Sequence, residues 1–220
     1  EGLLLAACRV GQGASGRNSG SAVAVSHFGG PFDPKQAGNY RRVNRINQAG
    51  LDLLREQVLR TEIACDWSDN GFHHCAADQV STRECGDFIG YLETLGIPHT
   101  SLDRDALQAR LGTSLYRAGV HVPVGALLQP AALMRGLADS LPENVTLYEN
   151  TPVLGVKHGD PLTLELPNGQ AKSDRLILAT NFEAPKLGFL KRYLIGSTLS
   201  GSFTRVLSDE ELSSLGNLTK

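Results

Sequence analysis

The sequence predicts an α/β (α+β) fold: a mixed, partly parallel sheet with an attached antiparallel region. Three observations predict it. Helical patterns alternate with short apolar runs between residues 35 and 141. The C-terminal half is a series of runs rich in branched residues, broken by hairpin-type turn signals. One of those runs, RLILAT, has Leu176, Ile177 and Leu178 in succession, as expected of a strand buried on both faces of a parallel sheet.

Taken in order, the chain opens with the apolar run LLLAA, a short strand, followed by GQGASGRNSG. That loop contains Gly11-x-Gly13-x-x-Gly16, the spacing of a dinucleotide phosphate loop. Such a loop needs a helix opening at its last glycine and an acid about 20 positions on. Neither is found here, because Gly20, Gly29, Gly30 and Pro31 are poor helix residues and Asp33 sits in the turn GGPFDP. A glycine-rich loop with no ligand remains open on this local pattern.

A helix is predicted over 35–62, with Val43, Ile46, Leu53, Leu54, Val58 and Leu59 near one face. Strands follow at 63–67 and 71–77. Helices are expected at 82–95, closed by Gly96, and at 103–111, closed by Gly112. A strand at 116–122 precedes a helix at 130–141 that opens with a proline in its first turn. VTLYE, PVLGVKH, LTLEL and RLILAT then read as strands separated by ENT, HGDP and PNGQ.

A chain of 220 residues with a net charge of -2 can bury a sizeable core and carries no basic signature of a nucleic-acid partner. No apolar run is long enough for a membrane span, so a soluble protein is expected. Cys8, Cys65, Cys75 and Cys85 are too scattered for a disulfide scaffold, and a cytoplasmic location fits them. CDWSDNGFHHC, with Cys65, His73, His74 and Cys75, invites a metal reading. Its spacing is not that of the common zinc sites, and adjacent histidines on a strand point to opposite faces, so no metal is assigned. The chain begins without methionine, as expected of a processed product or an excerpt.

GASGRNSG, LLQPAALMRGLADSLPENVTLYENTPV and DRLILATN, in that order, resemble the FAD-dependent oxidoreductases of the D-amino-acid oxidase superfamily. The similarity is to the branch of gamma-glutamylputrescine oxidases and glycine oxidases, and it spans nearly the whole chain. The resemblance implies FAD as cofactor, a small amine or amino acid as substrate, and hydride transfer from the amine-bearing carbon to the flavin. It makes GASGRNSG the second flavin loop and the GxGxxG spacing coincidental. The phosphate loop would then precede Glu1, and further substrate strands and a glycine-rich flavin segment would follow Lys220.

The cofactor-binding residues implied are Gly13, Ala14, Ser15, Gly16, Arg17, Asn18, Ser19 and Gly20, with Val153 and then Ala179, Thr180 and Asn181. Glycines admit close approach of a flat ring, Ser15 and Asn18 offer hydrogen bonds, and Arg17 a fixed charge. His27 beside the loop reads as structural. Arg205 is the candidate for binding a substrate carboxylate, and no catalytic acid or base is identified. The resemblance gives a partial FAD-binding, Rossmann-like domain (1–47, 130–153, 175–194) interleaved with a substrate domain (48–129, 154–174, 195–220) that includes a long strand at 195–207.

One departure matters. Ala6 stands where the family has a glutamate or aspartate at the strand end to grip the adenosine ribose. Weak or absent FAD binding and an inactive chain are therefore expected, with self-association through exposed sheet edges. The alternative is a non-catalytic α/β interaction module that has lost the cofactor.

Overall fold

The structure, a computed structural model, describes residues 1–26, 32–196, 200–201 and 204–215. In chain order the elements begin with β1 (Gly2–Leu5), β2 (Ser21–Ala22), α1 (Ala37–Arg60), β3 (Phe72–Ala76) and α2 (Gln79–Leu95). Next come β4 (Thr100–Asp103), α3 (Arg104–Leu111), β5 (Ala118–Val122), β6 (Ala126–Leu127) and α4 (Pro130–Asp139). The last are β7 (Val145–Tyr148), β8 (Gly155–Lys157), β9 (Leu162–Leu166), β10 (Gly169–Ser173) and α5 (Asp209–Ser214). The fold is mixed α/β, with one parallel strand pair and separate antiparallel sheets among the described residues.

The chain divides into two compact units. The first is formed by Glu1–Asn18 and Pro130–Ser202, the second by Ser19–Gln129 and Phe203–Lys220. Residues 19–47 thus group with the second unit and 154–174 with the first.

In the first unit β1 and β7 pair in parallel, Gly2 opposite Val145 through Leu5 opposite Tyr148. Ala6 extends the ladder, donating to Tyr148 O at 2.9 Å and accepting from Thr151 N at 2.8 Å. Strands β8, β9 and β10 make an antiparallel sheet with β9 in the middle. The two-residue connection Pro167-Asn168 closes the β9–β10 hairpin at the turn that PNGQ marked, but its second strand is Gly169–Ser173, where RLILAT was expected to follow.

In the second unit β5 lies between β3 and β4, antiparallel to both. Helix α2 covers one face, where Ala76, Val120 and Val122 pack with Cys85, Phe88, Tyr91 and Leu92. Local chemistry sets the helix ends. Asp78 and Ser81 form a reciprocal capping box at α2, Asp103 caps α3 through Ala106 N, and Gly96 and Gly112 close the two helices in left-handed conformation.

Three expected strands are corrected. Residues 63–67 form no strand; the chain leaves α1 through a turn, with Ile63 N bonded back to Val58 O at 3.0 Å. RLILAT is not a strand either, and Ile177 is 91% exposed. A strand buried on two faces needs neighbours to satisfy its backbone, and no described strand pairs with this segment. The expected strand at 195–207 lies partly outside the described residues; 195–196, 200–201 and 204–207 are extended or irregular without ladder partners. His27 also lies outside the described residues. No described helix is long and apolar enough to cross a membrane.

Candidate functional site

Beyond Ala6 the chain leaves β1 and folds back on itself. Gln12 N donates to Arg9 O at 3.1 Å, Gly11 takes φ +83°, and a single 3-10 turn follows at Ala14–Gly16. Asn18 holds that turn, donating from Nδ2 to Ala14 O at 3.1 Å and to Ser15 O at 2.9 Å. Gly16 is obligatory for the loop itself, since a Cβ there would lie 2.1 Å from Gly11 O. Gly11 in turn rests against Ala131 in the first turn of α4. Two of the loop's glycines are therefore consumed by its own packing.

The loop walls a cavity of about 290 Å³ at the C-terminal end of β1, lined by Ala6 to Gly11, Gly13, Ser15, Gly16 and Met134. Ligands of open parallel sheets bind at that end of the strands. The lining is mostly apolar, with Arg9 and Ser15 as its charged and hydroxyl-bearing residues. Gly13 has nothing within 4 Å of where a Cβ would stand, so its face is open to an approaching group.

Of the residues singled out from sequence, Gly13, Ser15 and Gly16 reach this cavity. Ala14, Arg17 and Asn18 belong to the same loop without lining it, and Arg17 is exposed. Ser19 and Gly20 fall in the second unit, where Gly20 O accepts from Leu128 N at 3.0 Å. Val153 is half-buried in the segment after β7, while Ala179, Thr180 and Asn181 are exposed at the start of a short 3-10 helix. None of these four lines the cavity.

Arg205 is occupied by Glu211, Nη1 donating to Oε2 at 2.9 Å and Nη2 to Oε1 at 2.5 Å. This fork, helped by Ser208 N, holds the Glu211 carboxyl down to about 2.

Sequence reasoning missed Met134 and Glu149. Met134 was legible only as part of the apolar face of α4. Glu149 was read as the last residue of the strand run VTLYE and the first of the turn ENT, with no role in the site, yet its Oε1 accepts from Val10 N at 2.5 Å. The signal available was a carboxylate placed directly after a strand parallel to β1.

The Cys and His cluster of the second unit is dispersed. His74 packs on Phe88, ring centroids 5.0 Å apart, while His73 lies on the opposite face against His121 at 4.6 Å. His73 Nε2 is buried without a hydrogen-bond partner. Burial lowers the His73 pKa, and the charges of Arg110 and His121 add to the effect. No group of three or more His, Cys, Asp or Glu is placed to hold a metal among the described residues.

Residues 3–208 match the family described as FAD dependent oxidoreductase. Gamma-glutamylputrescine oxidoreductase of Escherichia coli is 27% identical over 184 residues, and the probable oxidoreductase OrdL of Haemophilus influenzae 27% over 188. Each alignment covers 81% of this chain and 43% of the relative, so the chain spans less than half the length of the curated relatives it matches. Among solved structures, glycine oxidase from Geobacillus kaustophilus superposes with a TM-score of 0.67 at 20% identity, over 84% of this chain and 50% of that one. Glycine oxidase from Bacillus cereus follows at 0.61 and 16%, over 87% and 51%. These two likenesses establish the fold.

Proposed function

The chain belongs to the family of FAD dependent oxidoreductases, and on that premise we propose that the whole protein oxidises a small primary or secondary amine or an amino acid with FAD as cofactor. The observation that carries this reading is the cavity at the C-terminal end of the β1–β7 parallel pair, walled by the glycine loop. FAD, when bound, would supply the redox chemistry of amine oxidation, and the glycine-loop residues Gly13, Ser15 and Arg17 would hold it.

The residues present fit one portion of such a cofactor. At about 290 Å³ the cavity lies just below the range of small-molecule sites, roughly 300 to 1,000 Å³, and can take only a portion of such a cofactor. Gly13 admits close approach, Ser15 offers a donor and acceptor, and Asn18 stiffens the turn that presents them. Arg17 supplies a positive charge in the same loop. Arg205 is the substrate-side candidate, and a substrate carboxylate would have to displace Glu211 from its fork.

Ala6 brings no acid to the strand end, and a ribose there forgoes charge-assisted hydrogen bonds of about 1.5–3 kcal/mol. That is roughly a ten- to hundredfold loss of affinity. The 220-residue chain therefore binds FAD weakly, and Ala6→Glu tightens binding by at least about tenfold. Flavin fluorescence during titration of both proteins measures this. A yellow, stoichiometric flavin complex of the unsubstituted chain surviving gel filtration, or no gain from Ala6→Glu, counts against the reading.

Amine oxidation is tested by anaerobic flavin bleaching with polyamines and amino acids in a protein of the relatives' full length. A second reading, a non-catalytic α/β interaction module that has lost the cofactor, draws on Ala6. It predicts no flavin uptake by either variant.

A further inference from the structure

We propose that Glu149 is a positioning residue for the cavity at the end of β1, acting through the Val10 amide. The proposal rests on the reading of that cavity as part of a cofactor site. Because β1 and β7 run parallel, both strands end on the same side, and the residues that follow them are neighbours. Ala6 bridges Tyr148 O and Thr151 N, and Glu149, exposed to solvent, lies between those two residues in the chain. Its backbone is held on both sides. Asn150 takes φ +50°, which asparagine tolerates, and Thr151 Oγ1 donates to Glu149 O at 2.9 Å.

From this fixed base the carboxylate reaches the loop across 139 positions of sequence and accepts from Val10 N at 2.5 Å. A carboxylate on a backbone N–H is a short, charge-assisted bond of the stronger kind. Val10 lines the cavity and Glu149 does not, so Glu149 shapes the wall without touching what it holds. The stretch from Ala6 to Gly13 is also anchored by the β1 ladder at one end, by the Arg9–Gln12 turn within it and by the packing of Gly11 on Ala131. The Glu149 bond ties its middle to the end of β7. A wall fixed before the ligand arrives binds more tightly than one that must be ordered on binding.

Two substitutions and two readouts test this on the 220-residue chain. Glu149→Ala removes the acceptor; Glu149→Gln keeps an oxygen acceptor without the charge. Amide exchange at Val10 is expected to speed up by about tenfold or more in Glu149→Ala and by much less in Glu149→Gln, with exchange in α4 unchanged. FAD affinity, read by flavin fluorescence, is expected to fall in the same order. Unchanged Val10 exchange in Glu149→Ala overturns the proposal, as does unchanged FAD affinity despite faster exchange. If the unsubstituted chain takes up no flavin even at millimolar concentration, the cofactor reading of the cavity falls. Val10 exchange then still decides whether Glu149 positions the loop.

Discussion

His73 shows how much a single buried ring can decide. Its Nε2 has no partner, its ring lies against His121, and Arg110 adds positive potential, so the neutral imidazole is favoured in the folded chain. The folded state therefore binds fewer protons at His73 than the unfolded state does below about pH 6.5. Stability from this group is present above that pH and is lost as pH falls through 6.5 toward the lowered folded value. Urea unfolding midpoints at about pH 7.5 and 5.0 are expected to differ less in His73→Phe than in the unsubstituted chain. An equal drop in both would show that His73 carries no part of the acid sensitivity. Gly16 makes the complementary case in the first unit. A Cβ there meets Gly11 backbone atoms, which cannot swing aside as a side chain can. Gly16→Ala is expected to cost about 1–3 kcal/mol, seen as a lower melting temperature of the first unit.

Elements form where local signals and tertiary partners agree. Helices α2 and α3 carry caps at both ends; their stops were legible from Gly96 and Gly112 and the start of α3 from Asp103, whereas α2 starts at Gln79 behind its Asp78 cap, ahead of the start expected at residue 82. Gly96 sits at φ +69°, a conformation that costs a residue with a Cβ about 1–2 kcal/mol. Gly96→Ala is expected to destabilise the second unit by that amount in equilibrium unfolding, and an unchanged midpoint would contradict the capping role. RLILAT is the opposite case. Its composition suits a two-sided strand, but composition cannot supply a ladder partner, and the run stays outside any described strand with Ile177 exposed.

At the scale of the whole molecule the two units differ in how much they bury. Among the described residues only Leu133, Leu164 and Ala184 are buried apolar residues of the first unit, and none is fully buried, whereas the second fully buries Tyr91, Leu92, Leu107, Val120 and Val122 among others. The first unit also exposes Leu3 and Leu4 on β1, in a sheet of two strands. Amides of β1 and β7 are expected to exchange well before those of β3 and β5. The unpaired edge of β1 favours association, so sedimentation should show heavier species between about 5 and 100 μM, reduced by Leu4→Lys. A monomer across that range would remove edge pairing as a property of this chain.

The sequence alone determined the mixed α/β class, helices α1 to α4, the glycine stops of α2 and α3, the turn at PNGQ and the family, because periodicity, capping and turn chemistry act within a few residues. GASGRNSG carried the family signal, but not the role of each glycine. The tertiary structure decided that Gly16 serves the loop's own packing while Gly13 faces the cavity. It also decided that Glu149 meets Val10, that His73 meets His121, and that RLILAT goes unpaired. Those outcomes depend on contacts between residues far apart in the chain, and no local window of residue types encodes which distant backbone group a side chain will reach.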